Sequence, residues 1–438
     1  MQRWSWGMVI MTLAFSPLAA AETECLPSGF PIRQAPLLLC RAQELAQNDL
    51  SAEDLAWLTR FRLLVTNGYD YPSPAVARAL RTNGCRLFRY FWANGFTTNE
   101  AQSTSLPDGP WRQQLLRDHP EWLLAAEPLE GPPGTPPSYY YDFISSELMI
   151  FLSQQIAQTR TAGGYAGTFF DYAGVYALPQ RAAGLWREKH PDLSYDQALA
   201  RLLEVLRAVD RGTLIFTNQA VLGDPRLLTA VDYDMVESYG TSFAWGPTVK
   251  LAGEDFPLTY RRPWDGPGGI KAMMTPVMER LRTGPPRGEL LCLDYMRPAL
   301  TRRDGQWRPT VDLEAVYYSY CMAALWGLNS YCSGWYGQEY RGPLYFADLG
   351  RPLGDGPVEL EQVMLREYER GLVVLLRRAE AAEVRYRLQA NCGGQLWDLR
   401  TGRTLAVREG MVTLRLRPTR VPLSDEMQPI GRVYLKSN

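Results

Sequence analysis

Histidine is scarce in this chain of 438 residues, and paired cysteines are missing. His119 and His190 are the only two histidines, and each precedes a proline where a predicted helix ends. The seven cysteines include no Cys-x-x-C pair, which is the spacing typical of zinc and thiol-redox sites. These absences argue against a histidine-based triad and against a histidine-ligated metal. We therefore expect no metal and no cofactor.

An excess of charge of one sign is also lacking. The chain has 46 basic and 47 acidic side chains, and such a balance gives no electrostatic footprint for nucleic acid or for an anionic membrane. Beyond the first 21 residues, no apolar run approaches the roughly 18 to 20 residues that a membrane-spanning helix needs. We expect no nucleic-acid partner, no membrane partner once a leader is removed, and a monomer.

The first 21 residues have the parts of a secretory signal peptide. Arg3 is followed by an apolar stretch over residues 8–15 and by the small residues Ala19, Ala20 and Ala21. We predict cleavage near Ala21 and a secreted or periplasmic protein. An uncleaved N-terminal anchor fits the same pattern and stays open.

The cysteines divide into two groups by their surroundings. Cys25 and Cys40 lie in an N-terminal segment with no clear periodicity, and in an oxidising compartment they are candidates for a disulfide. Cys85, Cys292 and Cys332 fall in apolar, strand-like runs. We expect these three to be small buried side chains.

Strand and helix patterns alternate along most of the chain, which is typical of a parallel α/β fold. Strand-like runs are followed by predicted helices, for example an amphipathic one over residues 145–161 and others over residues 194–210, 269–283 and 312–326. A doubly wound open sheet is the runner-up, but Asn67-Gly-Tyr-Asp after the first run is not a phosphate-binding fingerprint. The eight predicted strands are residues 62–66, 85–92, 119–125, 166–171, 212–218, 233–239, 289–295 and 328–332.

Eight such units predict a (β/α)8 TIM barrel over residues 62–370, preceded by an extension over residues 22–61 that packs on it. After residue 370 the pattern changes to short runs of alternating polarity with turns between them. This texture predicts a small antiparallel β-sandwich over residues 371–438.

Two carboxylates end predicted barrel strands and form the sharpest candidate pair. Asp171 ends the fourth strand in the sequence Gly-Thr-Phe-Phe-Asp, and Glu237 ends the sixth. Strands two apart place their tips across the mouth of a barrel, where paired carboxyl groups carry out glycoside hydrolysis. Either residue alone fits a structural cap equally well.

Further polar and aromatic residues near strand ends are candidates for substrate binding. Polar groups would bind sugar hydroxyls and tryptophans would stack on sugar rings, although core packing explains any single tryptophan as well. The long aromatic loop over residues 240–269 is expected to be functional. The candidates are Tyr69, Asp70, Trp92, Tyr172, Asn218, Tyr239, Trp245, Asp294, Tyr295 and Trp335.

Several segments resemble the glycoside-hydrolase-like proteins of the (β/α)8 superfamily, including the hypothetical glycosyl hydrolase family 15. These segments are Gly-Thr-Phe-Phe-Asp171-Tyr, Met-Val-Glu237-Ser-Tyr-Gly, His119-Pro-Glu-Trp-Leu-Leu, Tyr368-Glu-Arg-Gly-Leu-Val-Val and Trp397-Asp-Leu-Arg-Thr-Gly402. The architecture is also similar to family 66 dextranases and family 114 polygalactosaminidases. The resemblance implies Asp171 as nucleophile and Glu237 as acid/base.

The sequence thus predicts a secreted glycoside hydrolase that cleaves an α-linked polysaccharide by a retaining, two-carboxylate mechanism. A carbohydrate-binding barrel without catalysis is one alternative. A transglycosidase that uses the same two carboxylates is another, and the sequence does not separate the three.

Overall fold

A computed structural model describes residues 24–46, 50–68, 70–103, 105–132, 135–174, 178–242, 248–251, 253–334, 339–390 and 392–436. The predicted leader at residues 1–21 lies outside these ranges, as do Tyr69, Trp245 and Trp335. In the described part of the chain, no helix is both long enough and apolar enough to cross a lipid bilayer.

Eight parallel strands form a nearly closed barrel, so the predicted TIM-barrel class is confirmed. Neighbours in the sheet follow chain order, and the first strand lies beside the last. Most strand residues are buried because helices cover the outside and side chains fill the inside. The strands are β1 (Ala35–Arg41), β2 (Phe61–Asn67), β3 (Arg86–Trp92), β4 (Gly167–Asp171), β5 (Leu214–Asn218), β6 (Tyr233–Glu237), β7 (Glu289–Met296) and β8 (Asn329–Gly334).

Helices connect the barrel strands, and polar side chains cap many of their N-termini. Ser145, Ser194 and Asp312 each accept a hydrogen bond from a backbone N–H in the first turn of the helix that follows. The helices are α1 (Ala42–Ala46), α2 (Ala52–Leu58), α3 (Pro74–Thr82), α4 (Thr98–Gln102), α5 (Gly109–Asp118), α6 (Ser146–Ala162), α7 (Gln180–Lys189), α8 (Tyr195–Val209), α9 (Pro225–Thr229), α10 (Ile270–Thr283) and α11 (Leu313–Leu325).

Two of the eight strand assignments need correction. The first barrel strand is Ala35–Arg41, which pairs in parallel with β2, so the barrel begins inside the segment that was expected to be an extension. The strand predicted over 119–125 is wrong: Pro120–Trp122 is a short 3-10 helix, and β3 pairs directly with β4. The two errors cancel, so Asp171 and Glu237 still lie on the fourth and sixth strands.

The position of Cys40 on β1 also bears on the candidate disulfide between Cys25 and Cys40. Cys40 is buried on β1, where its thiol donates to the carbonyl oxygen of Val65, whereas Cys25 is exposed. Both thiols are free, so the suggested disulfide is wrong. Cys85, Cys292 and Cys332 are buried as expected.

The C-terminal region is an eight-stranded antiparallel sheet that curls around its own apolar core, as the predicted sandwich required. It begins at Val358, before the expected boundary at 371. One face packs on α11, which is buried between this sheet and β8. The strands are Val358–Glu359, Val363–Tyr368, Gly371–Leu376, Ala382–Arg387, Gln395–Asp398, Thr404–Arg408, Met411–Leu416 and Gly431–Lys436.

The segment after β6 contains short strands rather than one irregular loop. Thr248–Leu251 pairs with Glu254–Pro257 in a hairpin, and Thr241–Ser242 pairs with Tyr260–Arg261. Trp264 in this segment is a core residue that stacks on Trp326, with ring centroids 5.6 Å apart.

Candidate active site

Asp171 and Glu237 lie together at the carboxyl-terminal mouth of the barrel. They line a pocket of about 150 Å³ with Tyr172, Gly174, Asn218 and Gln219. Asn218 ends β5, and Tyr172, Gly174 and Gln219 follow the ends of β4 and β5, so the pocket is built from three neighbouring strand ends. This is where barrel enzymes place their chemistry.

A single side-chain amide connects the two carboxylates. The Nδ2 atom of Asn218 donates to Asp171 Oδ1 at 2.9 Å and to Glu237 Oε2 at 2.7 Å. Because the two N–H bonds of an amide diverge by about 120°, the nearest oxygens of the two carboxyl groups are roughly 5 Å apart. The centres of the two groups lie somewhat further apart than these oxygens, which is compatible with the ~5–5.5 Å separation typical of retaining glycosidases.

Asp171 is surrounded by hydrogen-bond donors. Besides the Asn218 amide, the hydroxyl of Tyr90 donates to Oδ2 at 2.8 Å and the backbone N–H of Tyr172 donates to Oδ1 at 2.8 Å. An ionised carboxylate only accepts hydrogen bonds, so three donors match a charged group held in one orientation. Asp171 can therefore present an oxygen to an electrophile.

Glu237 has a different environment, which favours its protonated form. Desolvation is the largest effect that raises its pKa, and the negative charge of Asp171 raises it further. Hydrogen bonds from Tyr295 and Asn218 lower the pKa, but the net shift is upward. Two carboxyl groups in one pocket with unlike environments are the arrangement of a proton donor beside a nucleophile.

Backbone strain marks all three strand ends around the pocket. Tyr172, Gln219 and Ser238 directly follow β4, β5 and β6, and their φ angles are 56°, 65° and 60°. Residues other than glycine rarely adopt this left-handed backbone conformation, and each such residue costs about 1–3 kcal/mol of stability. The surrounding hydrogen bonds must hold these turns in place.

Asp294 is a support for the site rather than a sugar ligand. It is fully buried on β7, and its Oδ1 atom accepts a hydrogen bond from the backbone N–H of Gly240 at 3.0 Å. A Cβ atom at Gly240 would lie 2.6 Å from Asp294 Oδ2, so glycine is needed for this close approach. Asp294 therefore fixes the turn that follows Glu237.

Only some of the other predicted site residues lie at this pocket. Asn218, Tyr172 and Tyr295 belong to the site. Trp92 is buried, and its ring packs at a tilt against that of Tyr172 with centroids 5.6 Å apart, so it supports the pocket wall. The remaining two described candidates do not line the pocket: Tyr239 is buried in the core, and Asp70 offers its backbone carbonyl to the hydroxyl of Tyr165.

Three site residues were missed in the sequence. Tyr90 lies on β3 two positions before Trp92, so side-chain alternation places the two on the same face of the strand. Because Trp92 was already a candidate, this alternation could have identified Tyr90 from the sequence. Gly174 and Gln219 lie in turns, where the sequence alone does not give the direction of a side chain.

Comparisons with known proteins found similar structures but no similar sequence family. No protein-family model matches the chain, and no curated protein sequence matches it. The barrel resembles the glycoside hydrolase domain of PelA from Pseudomonas aeruginosa, with 16% identity, 70% of this chain and 97% of that chain covered, and a TM-score of 0.42.

An α-amylase from Geobacillus thermoleovorans, solved with acarbose, is similar over 92% of this chain and 98% of that chain, with 12% identity and a TM-score of 0.49. An α-amylase from Anoxybacillus is similar over 92% of this chain and 98% of that chain, with 9% identity and a TM-score of 0.49. These similar structures are thus a glycoside hydrolase domain and two α-amylases. The resemblance to families 15, 66 and 114 stays a prediction.

Proposed function

We propose that the protein is a retaining glycoside hydrolase that acts on a polysaccharide or oligosaccharide. The observation that carries the proposal is the bridge from Asn218 to both Asp171 and Glu237. This shared donor supports retention, because it brings an oxygen of each carboxyl group close to the other and the two groups have unlike environments.

In the first step, an Asp171 oxygen attacks the anomeric carbon while the bond from that carbon to the leaving oxygen breaks. Glu237 gives its proton to the leaving oxygen, which departs as a hydroxyl group. The product is a glycosyl ester on Asp171, and Glu237 is left as a carboxylate.

In the second step, Glu237 takes a proton from a water molecule, whose oxygen attacks the same carbon. The ester bond breaks, Asp171 regains its negative charge, and Glu237 is protonated again. Tyr90, Tyr172 and Asn218 hold Asp171 during both steps because all three donate to its carboxylate.

The test is release of reducing ends from a panel of α- and β-linked polysaccharides. We expect Asp171→Asn and Glu237→Gln each to lower the rate at least about a thousandfold. Glu289→Gln is the matched control, because Glu289 lies at the opposite end of the barrel, paired with Arg62. Full activity in both site variants would refute the assignment, and an inactive wild-type protein that binds glycans would favour a binding barrel.

An α-linked substrate and export through the leader at residues 1–21 are part of the same proposal. The first rests on the resemblance of the strand-end motifs and the second on the pattern around Arg3 and Ala21. The panel tests the linkage, and N-terminal sequencing of the expressed protein tests the cleavage.

A further inference from the structure

We propose that Asp234, a buried residue that does not line the pocket, is a positioning residue for the catalytic pair. This inference deepens the proposed function, because it concerns how Asn218 is held between Asp171 and Glu237. Asp234 lies on β6, three positions before Glu237, and is fully buried.

The carboxylate of Asp234 binds the turn that follows Asn218. Its Oδ1 atom accepts from the backbone N–H of Ala220 at 3.0 Å, and its Oδ2 atom accepts from that of Val221 at 2.8 Å. The carbonyl oxygen of Met235 accepts from the N–H of Gln219 at 2.8 Å. Three successive N–H groups after Asn218 are therefore held by β6.

This turn needs to be held because Gln219 has a φ of 65°. The left-handed conformation of a non-glycine residue persists only where the surroundings enforce it. Since Gln219 directly follows Asn218, relaxation of the turn would move the Asn218 amide away from the two carboxylates.

Burying a carboxyl group costs free energy because its charged form loses water. Its presence in this turn therefore argues that the backbone N–H groups need a strong acceptor. Burial raises the pKa of Asp234 to about 7, although hydrogen bonds from Thr217, Val221 and Ala220 oppose the shift. The Thr217 hydroxyl donates to Oδ1 at 2.8 Å. An apolar residue would fill the space without that cost but would leave two buried N–H groups unpaired.

Asp234→Asn tests the proposal, and Asp232→Asn is its matched control. Asp232 lies two residues earlier and, like Asp234, accepts a hydrogen bond from a backbone N–H. Its donor is Ile215 at 2.7 Å, at the end of the barrel opposite the pocket. We expect amides 219–223 to exchange at least about tenfold faster in Asp234→Asn and to keep wild-type exchange in Asp232→Asn.

A second readout separates positioning from stability alone. Loss of the Asn218 donor raises the pKa of Glu237, so the Glu237 titration, followed by carboxyl carbon NMR, should move upward in Asp234→Asn and in Asn218→Ala but not in Asp232→Asn. On a cleavable substrate, kcat should fall in Asp234→Asn with KM little changed.

Wild-type exchange of amides 219–223 in Asp234→Asn would overturn the proposal. Faster exchange with an unchanged Glu237 titration would also overturn it. Exchange and titration do not need turnover, so a protein without hydrolase activity would defeat the proposed function while leaving this inference testable. If Asp234→Asn does not fold, Thr217→Val, which removes one donor to Asp234, should give a smaller change of the same kind.

Discussion

Asn218 is the residue on which the geometry of both carboxylates depends. Its one amide nitrogen serves Asp171 and Glu237, and the side chain is nearly buried. An amide in this position fixes the spacing of the pair and stabilises negative charge on whichever carboxylate carries it. The sequence marked Asn218 as a residue that binds sugar hydroxyls, because a single strand end does not reveal what faces it.

We expect Asn218→Ala to lower kcat about 100- to 1,000-fold, the usual cost of losing one preorganised donor. Steady-state kinetics on a cleavable glycan measures it. Asn329→Ala is a matched control, since Asn329 donates to Glu289 at the other end of the barrel. Equal losses in the two variants would contradict the role given to Asn218.

Tyr295 affects the pKa of Glu237, the proposed proton donor. Its hydroxyl hydrogen-bonds Glu237 and lowers the pKa of that residue, against the larger upward effect of desolvation. Tyr295→Phe removes a donor to the charged form, so the pKa of Glu237 should rise. The proposed mechanism needs Glu237 protonated, and the basic limb of the kcat/KM profile should therefore move to higher pH.

The measurement is a pH profile of kcat/KM for the wild type and Tyr295→Phe. Tyr165→Phe is the control, because that hydroxyl donates to the backbone at Asp70 and does not touch the pair. A basic limb that stays in place, or moves to lower pH, would show that Tyr295 does not act on Glu237.

At the scale of elements, the turns after β4 and β5 pack directly on each other. A Cβ atom at Gly174 would lie 2.2 Å from the backbone oxygen of Gln219. Such a contact is impossible without a shift of one turn, and both turns line the pocket. The absence of a side chain at Gly174 therefore sets the shape of the pocket.

We expect Gly174→Ala to lower kcat about 10- to 100-fold, because displacements near 1 Å have effects of this size. Gly184→Ala is the control: nothing lies within 4 Å of its Cβ position in α7, and alanine in a helix adds up to about 1 kcal/mol of stability. Kinetics and thermal unfolding of both variants check this. Unchanged kinetics in Gly174→Ala would mean that the two turns adjust freely.

The element scale also shows where sequence reading succeeds and fails. The helices α6, α8 and α11, each of which begins after a polar capping residue, were predicted to within a few residues. The first barrel strand, Ala35–Arg41, was missed because it follows an irregular segment and carries a proline at its second position. Residues 123–125 look like a strand locally, but β3 and β4 pair with each other and leave no place for one.

Across the whole molecule, α11 and a cluster of charges join the barrel to the C-terminal sheet. Glu314 at the start of α11 pairs with Arg432 at 2.8 Å, with Arg400 at 3.4 Å and with Arg261 at 3.9 Å. Burial raises the pKa of Glu314, but the arginines lower it more, so the net shift is downward. The barrel and the sheet share one apolar core around this cluster.

We expect Glu314→Ala to lower the free energy of unfolding by about 3–5 kcal/mol, because it removes the carboxylate that pairs with these largely buried arginines. Urea unfolding followed by far-UV circular dichroism measures the loss. Because the pKa of Glu314 is lower in the folded state, its stabilising contribution is present above its unfolded pKa and disappears as the pH falls through the folded value. Glu383→Ala, which breaks an exposed pair with Arg415, is the control and should cost less than about 1 kcal/mol.

The most direct test of the central claim is whether Asp171 forms a covalent bond to a sugar. Fluorinated glycosyl fluorides carry a good leaving group and slow the second step, so a panel of them should leave a glycosyl ester for mass spectrometry to locate. We predict an adduct on Asp171 in the wild type and none in Asp171→Asn. An adduct on another residue, or hydrolysis of a natural substrate with inversion at the anomeric carbon, would contradict the assignment of Asp171 and Glu237.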